Sequence, residues 1–217
     1  MSETANRKLV RGIIYLAGMV LLALGITLNS LTGLGASAIV SVPFTISETT
    51  GWNFGNLTLL VYCLFVLAEF FIAGKNRSIA FLLQIPLSIV FTRFMNLFKA
   101  LIPYESGFLP ADILVLALAI VFTGVGAAMT VDMKLIPNPG DGIVASISNR
   151  SGKELGLCKN LFDIGCFCCS LLIGTAFGNT LAGVGLGTLL SMIGVGRVIS
   201  AFNFLFRRRL TMASGLA

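Results

Sequence analysis

The residues best suited to chemistry lie in one short stretch of the second half of the chain. Pro137-Asn138-Pro139-Gly140-Asp141-Gly142 combines rigid prolines, conformationally free glycines, an amide and a carboxylate. A carboxylate in this place can cap the helix that follows, or it can coordinate a cation or a polar solute. The sequence favours capping slightly and leaves both functions open for Asp141.

Three charged residues lie inside long apolar runs, where an ionised group is costly and is often functional. They are Arg93, Asp163 and Arg197. Asp163 and Arg197 fall at comparable depth on consecutive predicted helices, so we predict that they form an intramembrane pair. Such a pair either gates an ion or solute path or locks two helices together. Glu69 and Asp132 stand near the ends of apolar runs and are interpreted as snorkelling.

Neutral polar residues in apolar segments mark a candidate path for a solute or ion. With Asp141, the predicted path consists of Ser37, Gln84, Asn138 and Ser191. Hydrogen bonds between helices would explain some of these residues, Gln84 among them, without any transport function.

Several kinds of chemistry are disfavoured. The chain contains no histidine, so it lacks the commonest general base and metal ligand. On a helix, Cys166 and Cys168 would point about 200° apart, which is poor geometry for a shared metal. We therefore predict free thiols, no catalytic residues, no metal, no cofactor and no enzyme. The basic run Arg207-Arg208-Arg209 is interpreted as an anchor at anionic lipid, not as a nucleic-acid site.

The elements that must position these residues are apolar helices. Of the 217 residues, 56% are hydrophobic and only 11% are charged, whereas a soluble domain has about 25% charged residues. Because a bilayer span needs about 20 apolar residues, the pattern predicts an all-α membrane protein with six transmembrane helices. The predicted spans are residues 9–31, 55–74, 78–102, 111–131, 157–177 and 182–206.

Two further apolar segments, about 36–48 and 139–149, are too short to cross the membrane as helices. Both follow glycine or proline and precede polar turns. We predict that they are short re-entrant or interfacial helices. Short segments in matching positions of two halves are a known sign of a transporter binding site, so we expect these two to meet near the centre of the molecule.

The two halves of the chain match each other. A shift of 101 residues aligns Gly25 with Gly126 and Gly51 with Gly152, and a shift of 107 aligns Gln84 with Ser191. This predicts one membrane domain, 1–217, built from a repeat at about 9–102 and a second at about 111–206. Three spans in each half require the two repeats to be inverted.

Lysine and arginine predict the orientation. With six spans, the basic residues near both termini and in three intervening loops, including Lys75 and Arg77, collect on one side, and Lys99 is left on the other. If both short segments also crossed, Lys75, Arg77 and Lys134 would move outside. The six-span arrangement fits better, and it predicts a bacterial plasma-membrane protein with both termini in the cytoplasm.

The glycine-based motifs resemble those of the YczE/YyaS/YitT group of bacterial membrane proteins. The length fits the YczE-like branch, which lacks a soluble C-terminal domain, and the first half has Ala38 and Val40 where the group tends to have proline and aspartate. The resemblance implies the fold and the location, and it supplies no activity. The matching residues are Gly35-Ala36-Ser37, Thr50-Gly51 with Gly55, Pro139-Gly140-Asp141-Gly142, Arg150-Ser151-Gly152 with Gly156, and Gly183-Val184-Gly185-Leu186-Gly187-Thr188.

The expected function is transporter-like, for a small solute. The alternatives are a membrane scaffold or assembly partner that does not transport, and a substrate-binding membrane subunit of a larger uptake complex. The expected partners are the lipid bilayer, a small solute, and either further copies of the chain or a partner subunit.

Overall fold

Eight α-helices make up the fold in the computed structural model, which describes residues 3–74 and 79–216. No strand occurs in these ranges. A short 3₁₀ turn, Ile79–Leu83, leads into the fourth helix. The helices are α1 (Glu3–Leu31), α2 (Ala38–Thr50), α3 (Phe54–Ala73), α4 (Gln84–Leu101), α5 (Leu109–Asp132), α6 (Pro139–Ser151), α7 (Leu155–Ala176) and α8 (Leu186–Ser214).

Six of these helices, α1, α3, α4, α5, α7 and α8, are long and apolar enough to cross a membrane. The other two, α2 and α6, have 13 residues each. A helix of that length spans only about 20 Å, against a hydrocarbon core of about 30 Å. The prediction of an all-α membrane protein with six long and two short helices is confirmed. Lys75 and Arg77, which contributed to the orientation argument, lie outside the described residues.

The short helices α2 and α6 are built alike. They begin 101 residues apart, and each ends at a glycine with a left-handed conformation, Gly51 at φ 74° and Gly152 at φ 67°. Ser47 and Ser148 each donate a 2.7 Å hydrogen bond to the carbonyl five residues ahead. Glycine is required at these two ends because a side chain strains a positive φ. The same local structure therefore occurs twice, at the spacing that the sequence predicted.

The crossing of α1 and α5 shows that the repeats are inverted. A Cβ at Gly25 would lie 2.8 Å from the carbonyl oxygen of Ala119, and one at Gly126 would lie 2.6 Å from that of Gly18. Later residues of α1 thus meet earlier residues of α5, so the two helices are antiparallel. Because α1 and α5 occupy equivalent places in the repeats, an antiparallel crossing means that one repeat is turned over relative to the other.

The two halves also exchange contacts, since α2 packs against α7 and α3 packs against α6. These two pairings are equivalent, because α2 corresponds to α6 and α3 corresponds to α7 in the two repeats. The larger hydrophobic cluster draws on both halves, with Phe44 and Met95 from the first and Ala127 from the second. The repeats therefore share one core.

The α1–α5 crossing gives a test of this packing. We expect Gly126→Ala to destabilise the protein by about 1–3 kcal/mol, because its new methyl group would meet backbone atoms of α1 that cannot move aside cheaply. Gly165→Ala on α7 is the matched control, because nothing lies within 4 Å of its added Cβ. Thermal unfolding of the detergent-purified variants measures the difference, and equal melting temperatures would contradict the packing described above.

Candidate functional site

A cavity of about 250 Å³ lies where the N-termini of α2 and α6 come together. The two helices touch at this point, because a Cβ at Gly140 would lie 2.8 Å from the Ile39 side chain. Mid-helix residues of α1, Leu22 and Ile26, also line the cavity, which places it away from the helix ends. The predicted meeting of the two short segments is confirmed. Polar groups on its wall come from Ser37, Tyr62, Thr123, Asn138, Asp141, Lys159, Asn160, Asp163 and Ser191.

The start of α6 is capped by Asn138. Its side-chain oxygen accepts a 3.1 Å hydrogen bond from the Gly140 N–H, and its carbonyl accepts from the N–H groups of Asp141 and Gly142 at 2.9 and 2.8 Å. The structure therefore gives the capping function to Asn138, and corrects the prediction that favoured Asp141 for it. The Asp141 side chain lines the cavity instead and makes no hydrogen bond to another described residue.

The start of α2 is not capped in the same way. Ser37 occupies the N-cap position, but its side chain makes no capping hydrogen bond. A helix N-terminus carries a partial positive charge from its unpaired N–H groups. The α2 end of the cavity therefore presents hydrogen-bond donors, while the α6 end presents the Asp141 carboxylate.

Asp163 has a different partner from the one predicted. Its two carboxylate oxygens accept hydrogen bonds from the Lys159 ammonium at 2.7 and 2.8 Å, one helical turn earlier on α7. Arg197 is exposed on α8. The Asp163–Arg197 pair is thus replaced by a pair within one helix, because residues four apart on a helix share a face. Arg93, the third predicted intramembrane charge, is exposed on α4.

Four of the five predicted path residues line the cavity: Ser37, Asn138, Asp141 and Ser191. Ser191 also accepts a 2.7 Å hydrogen bond from the buried Asn29 amide. The fifth, Gln84, borders a second cavity of only about 20 Å³, which has room for little more than a water. Sequence reasoning missed Lys159 and Asn160, although the spacing of Lys159 and Asp163 was a usable signal for a helical ion pair.

The charges of the cavity all come from the second repeat. The residue 101 positions before Asp141 is Val40, and the residue 101 positions before Asp163 is Tyr62, and both line the cavity from the first repeat. The two repeats therefore supply equivalent positions with different chemistry. One side of the cavity is neutral and largely apolar, and the other carries two carboxylates and one ammonium group.

Two carboxylates interpreted as snorkelling are buried instead. Glu69 is 2% exposed and accepts a hydrogen bond from Gln84, and Asp132 is 5% exposed and pairs with Arg207 at 3.4 Å. Position near the end of an apolar run indicates how deep a residue lies, but not the direction in which its side chain points. Both side chains turn toward neighbouring helices, which the sequence alone did not reveal.

Six apolar spans and two half-length helices that start at a polar cavity define a multi-pass membrane protein with a chamber between inverted repeats. The model of DUF6198, a family of unknown function, matches residues 9–204, and the chain belongs to that family. No curated protein and no solved structure matches the chain.

The ion pair in the cavity wall can be tested by a double substitution. We expect Lys159→Met to destabilise the protein by about 1–3 kcal/mol, because it leaves the Asp163 carboxylate buried without its partner. Adding Asp163→Asn removes that charge and should restore most of the loss. Denaturation of the single and double variants measures the coupling. If Lys159→Met costs the same with and without Asp163→Asn, the pair contributes nothing.

Proposed function

We propose that the protein is a transporter-like carrier of a small polar solute in the bacterial plasma membrane. One observation carries this proposal: two oppositely oriented half-length helices begin at the same polar cavity in the middle of the fold. Broken helices at a repeat interface are the arrangement in which many secondary transporters bind their substrates.

The size of the cavity limits the solute. At about 250 Å³ it is smaller than the roughly 300–1,000 Å³ of sites for drug-sized ligands. A small metabolite or an ion with its water shell fits this space.

The charges of the cavity limit the solute further. Lys159 is engaged by Asp163, so Asp141 is the carboxylate left to interact with a guest. A solute with a positive group or several hydrogen-bond donors would be stabilised near Asp141. An acceptor group on the same solute would face the uncapped N-terminus of α2.

A second candidate function is a substrate-binding subunit that works with a partner. The observation in its favour is that only 6% of the apolar stretch of α8 is buried, whereas 22–39% of the corresponding stretch is buried in the other five spans. An exposed helix of this kind can face lipid or a partner helix. The resemblance to the YczE/YyaS/YitT group remains a prediction from motifs and fits either function.

Solute binding can be sought by measuring the melting temperature of the purified protein against a library of small metabolites. Ligand at 100 times its dissociation constant adds about 2.7 kcal/mol of stability, so a specific solute should raise the melting temperature clearly. We expect Asp141→Asn to abolish this rise without unfolding the protein. Glu48→Gln, at an exposed carboxylate on α2, is the control and should retain it. A rise that survives Asp141→Asn would place binding elsewhere.

The orientation proposed for the membrane can be tested at both ends of the chain. The two ends meet on one side, since a Cβ at Gly215 would lie 2.9 Å from the Arg7 side chain. The basic residues near both ends favour the cytoplasm. We expect alkaline phosphatase fused to either terminus to be inactive in bacterial cells, and phosphatase inserted after Ser106 to be active. Activity at a terminus would reverse the orientation.

A further inference from the structure

A buried carboxyl group lies outside the cavity, where α3 packs against α6. Glu69 is 2% exposed, and its Oε2 accepts a 2.6 Å hydrogen bond from the Gln84 amide nitrogen. Its Oε1 accepts a weaker one, at 3.4 Å, from the Ser146 hydroxyl on α6. Gln84 is 1% exposed, and its amide oxygen has no hydrogen-bond partner among the described residues. A buried acceptor left without a hydrogen-bond donor is costly, so the site is not saturated as it stands.

The equivalent place in the pairing of α2 with α7 holds two neutral side chains. There Ser41 on α2 and Ser170 on α7 share a 2.7 Å hydrogen bond. The residues 101 positions away are Gly142, after Ser41, and Glu69, before Ser170. The carboxyl group of Glu69 fits because Gly142 lacks a side chain: a Cβ there would lie 2.8 Å from Glu69 Oε2 and 3.0 Å from Gln84 Oε1. Ordinary packing of these helices does not require a carboxyl group, as the serine pair shows.

We propose that Glu69 is a proton-binding site, at which an exchangeable proton is held between its carboxyl group and the Gln84 amide. Without the proton, the carboxylate accepts from the Gln84 amide nitrogen and from Ser146, and the amide oxygen is idle. With the proton, rotation of the amide by half a turn brings its oxygen to the position beside Oε2. The Glu69 O–H then donates to this oxygen, and the 2.6 Å separation falls within the usual range for O–H···O bonds. The proton comes from water and returns to it, and no other bond changes.

Few other charged groups among the described residues lie near enough to the Glu69 carboxylate to neutralise it in place of this proton. On α7, which meets α3 at the Phe65–Phe162 ring contact, Lys159 and Asp163 pair with each other. The charged residues on the other helices packed against α3 are Asp141 and Arg150 on α6, Arg93 and Lys99 on α4, and Glu48 on α2. Asp141 borders the cavity, and the other four are exposed. The groups in hydrogen-bond contact with the Glu69 carboxyl are the neutral side chains of Gln84 and Ser146.

This site deepens the proposed function, on which its link to transport rests. Ser146, which contacts Glu69, and Asp141, which faces the cavity, lie on the same short helix and are about 7.5 Å apart along its axis. A change at either residue acts on the position of α6. Binding of a proton at Glu69 and of a solute at Asp141 are thereby coupled, as a proton-driven carrier requires.

Infrared spectroscopy of the purified full-length protein tests the proposal directly, because a protonated carboxyl group has its own C=O stretching band. We expect a band at neutral pH that weakens as the pH rises and that is missing from Glu69→Gln. Glu48→Gln, at an exposed carboxylate on α2, is the matched control, and it should retain this band. A Glu69→Gln spectrum that loses no such band, from mildly acidic to mildly alkaline pH, would overturn the proposal.

Gln84→Met keeps the test decisive if Glu69→Gln does not fold. Without the amide partner, the Glu69 band should move to higher frequency, and an unchanged band would overturn the proposal.

The proton site at Glu69 and the carrier function can be refuted independently of each other. If the Glu69 band is present but no solute raises the melting temperature, the proton site stands and the carrier does not. If Asp141-dependent solute binding is found without the band, only the proton site is lost.

Discussion

The structure depends on satisfying the backbone hydrogen bonds of the two loops that lead into the short helices. Each short helix is preceded by a non-helical loop, residues 32–37 before α2 and 133–138 before α6. Where such backbone is buried, protein groups must supply the hydrogen bonds that water or a helix would otherwise provide. The two loops are equivalent in the repeats, yet their hydrogen bonds are satisfied by different means.

The first loop pairs with the backbone around the start of α8. Ala36 donates a 3.1 Å hydrogen bond to the Gly183 carbonyl, and the Leu34 carbonyl accepts a 2.7 Å hydrogen bond from Gly187. The second loop is held by side chains of α1. Arg11 donates to the carbonyls of Met133 and Lys134 at 2.6 Å each. The Tyr15 hydroxyl donates to the Ile136 carbonyl at 2.8 Å. The antiparallel α1–α5 crossing places α1 where it can do this, so the glycines of that crossing support the site indirectly.

Hydropathy and residue spacing were sufficient to predict the helices and the repeat, but they did not predict the side-chain contacts. Span lengths follow from runs of apolar residues, and the repeat follows from glycines such as Gly51 and Gly152, whose positive φ tolerates little else. The convergence of Ser37 and Asn138 followed from the inverted repeat. The partner of Asp163 did not, because depth alone cannot distinguish a neighbour one turn away from one on the next helix. The burial of Glu69 was missed because nothing in one sequence tells which way a residue near a span end faces.

The opening of the second half and the Lys159–Asp163 ion pair in its wall can be traced to one pair of positions. In the first half, Tyr62 on α3 stacks against Phe91 on α4 with ring centroids 6.0 Å apart, and α3 and α4 pack together. The equivalents of this aromatic pair are Asp163 on α7 and Val198 on α8, at the two shifts that align the repeats. A carboxylate cannot pack against valine in that way, since it must keep polar contacts. It takes Lys159 as its partner, and α8 packs against α5 with hardly any contact to α7. Replacing an aromatic ring by a carboxylate thus both charges the cavity wall and removes the contact that closes the equivalent space in the first half, where the cavity is only about 20 Å³.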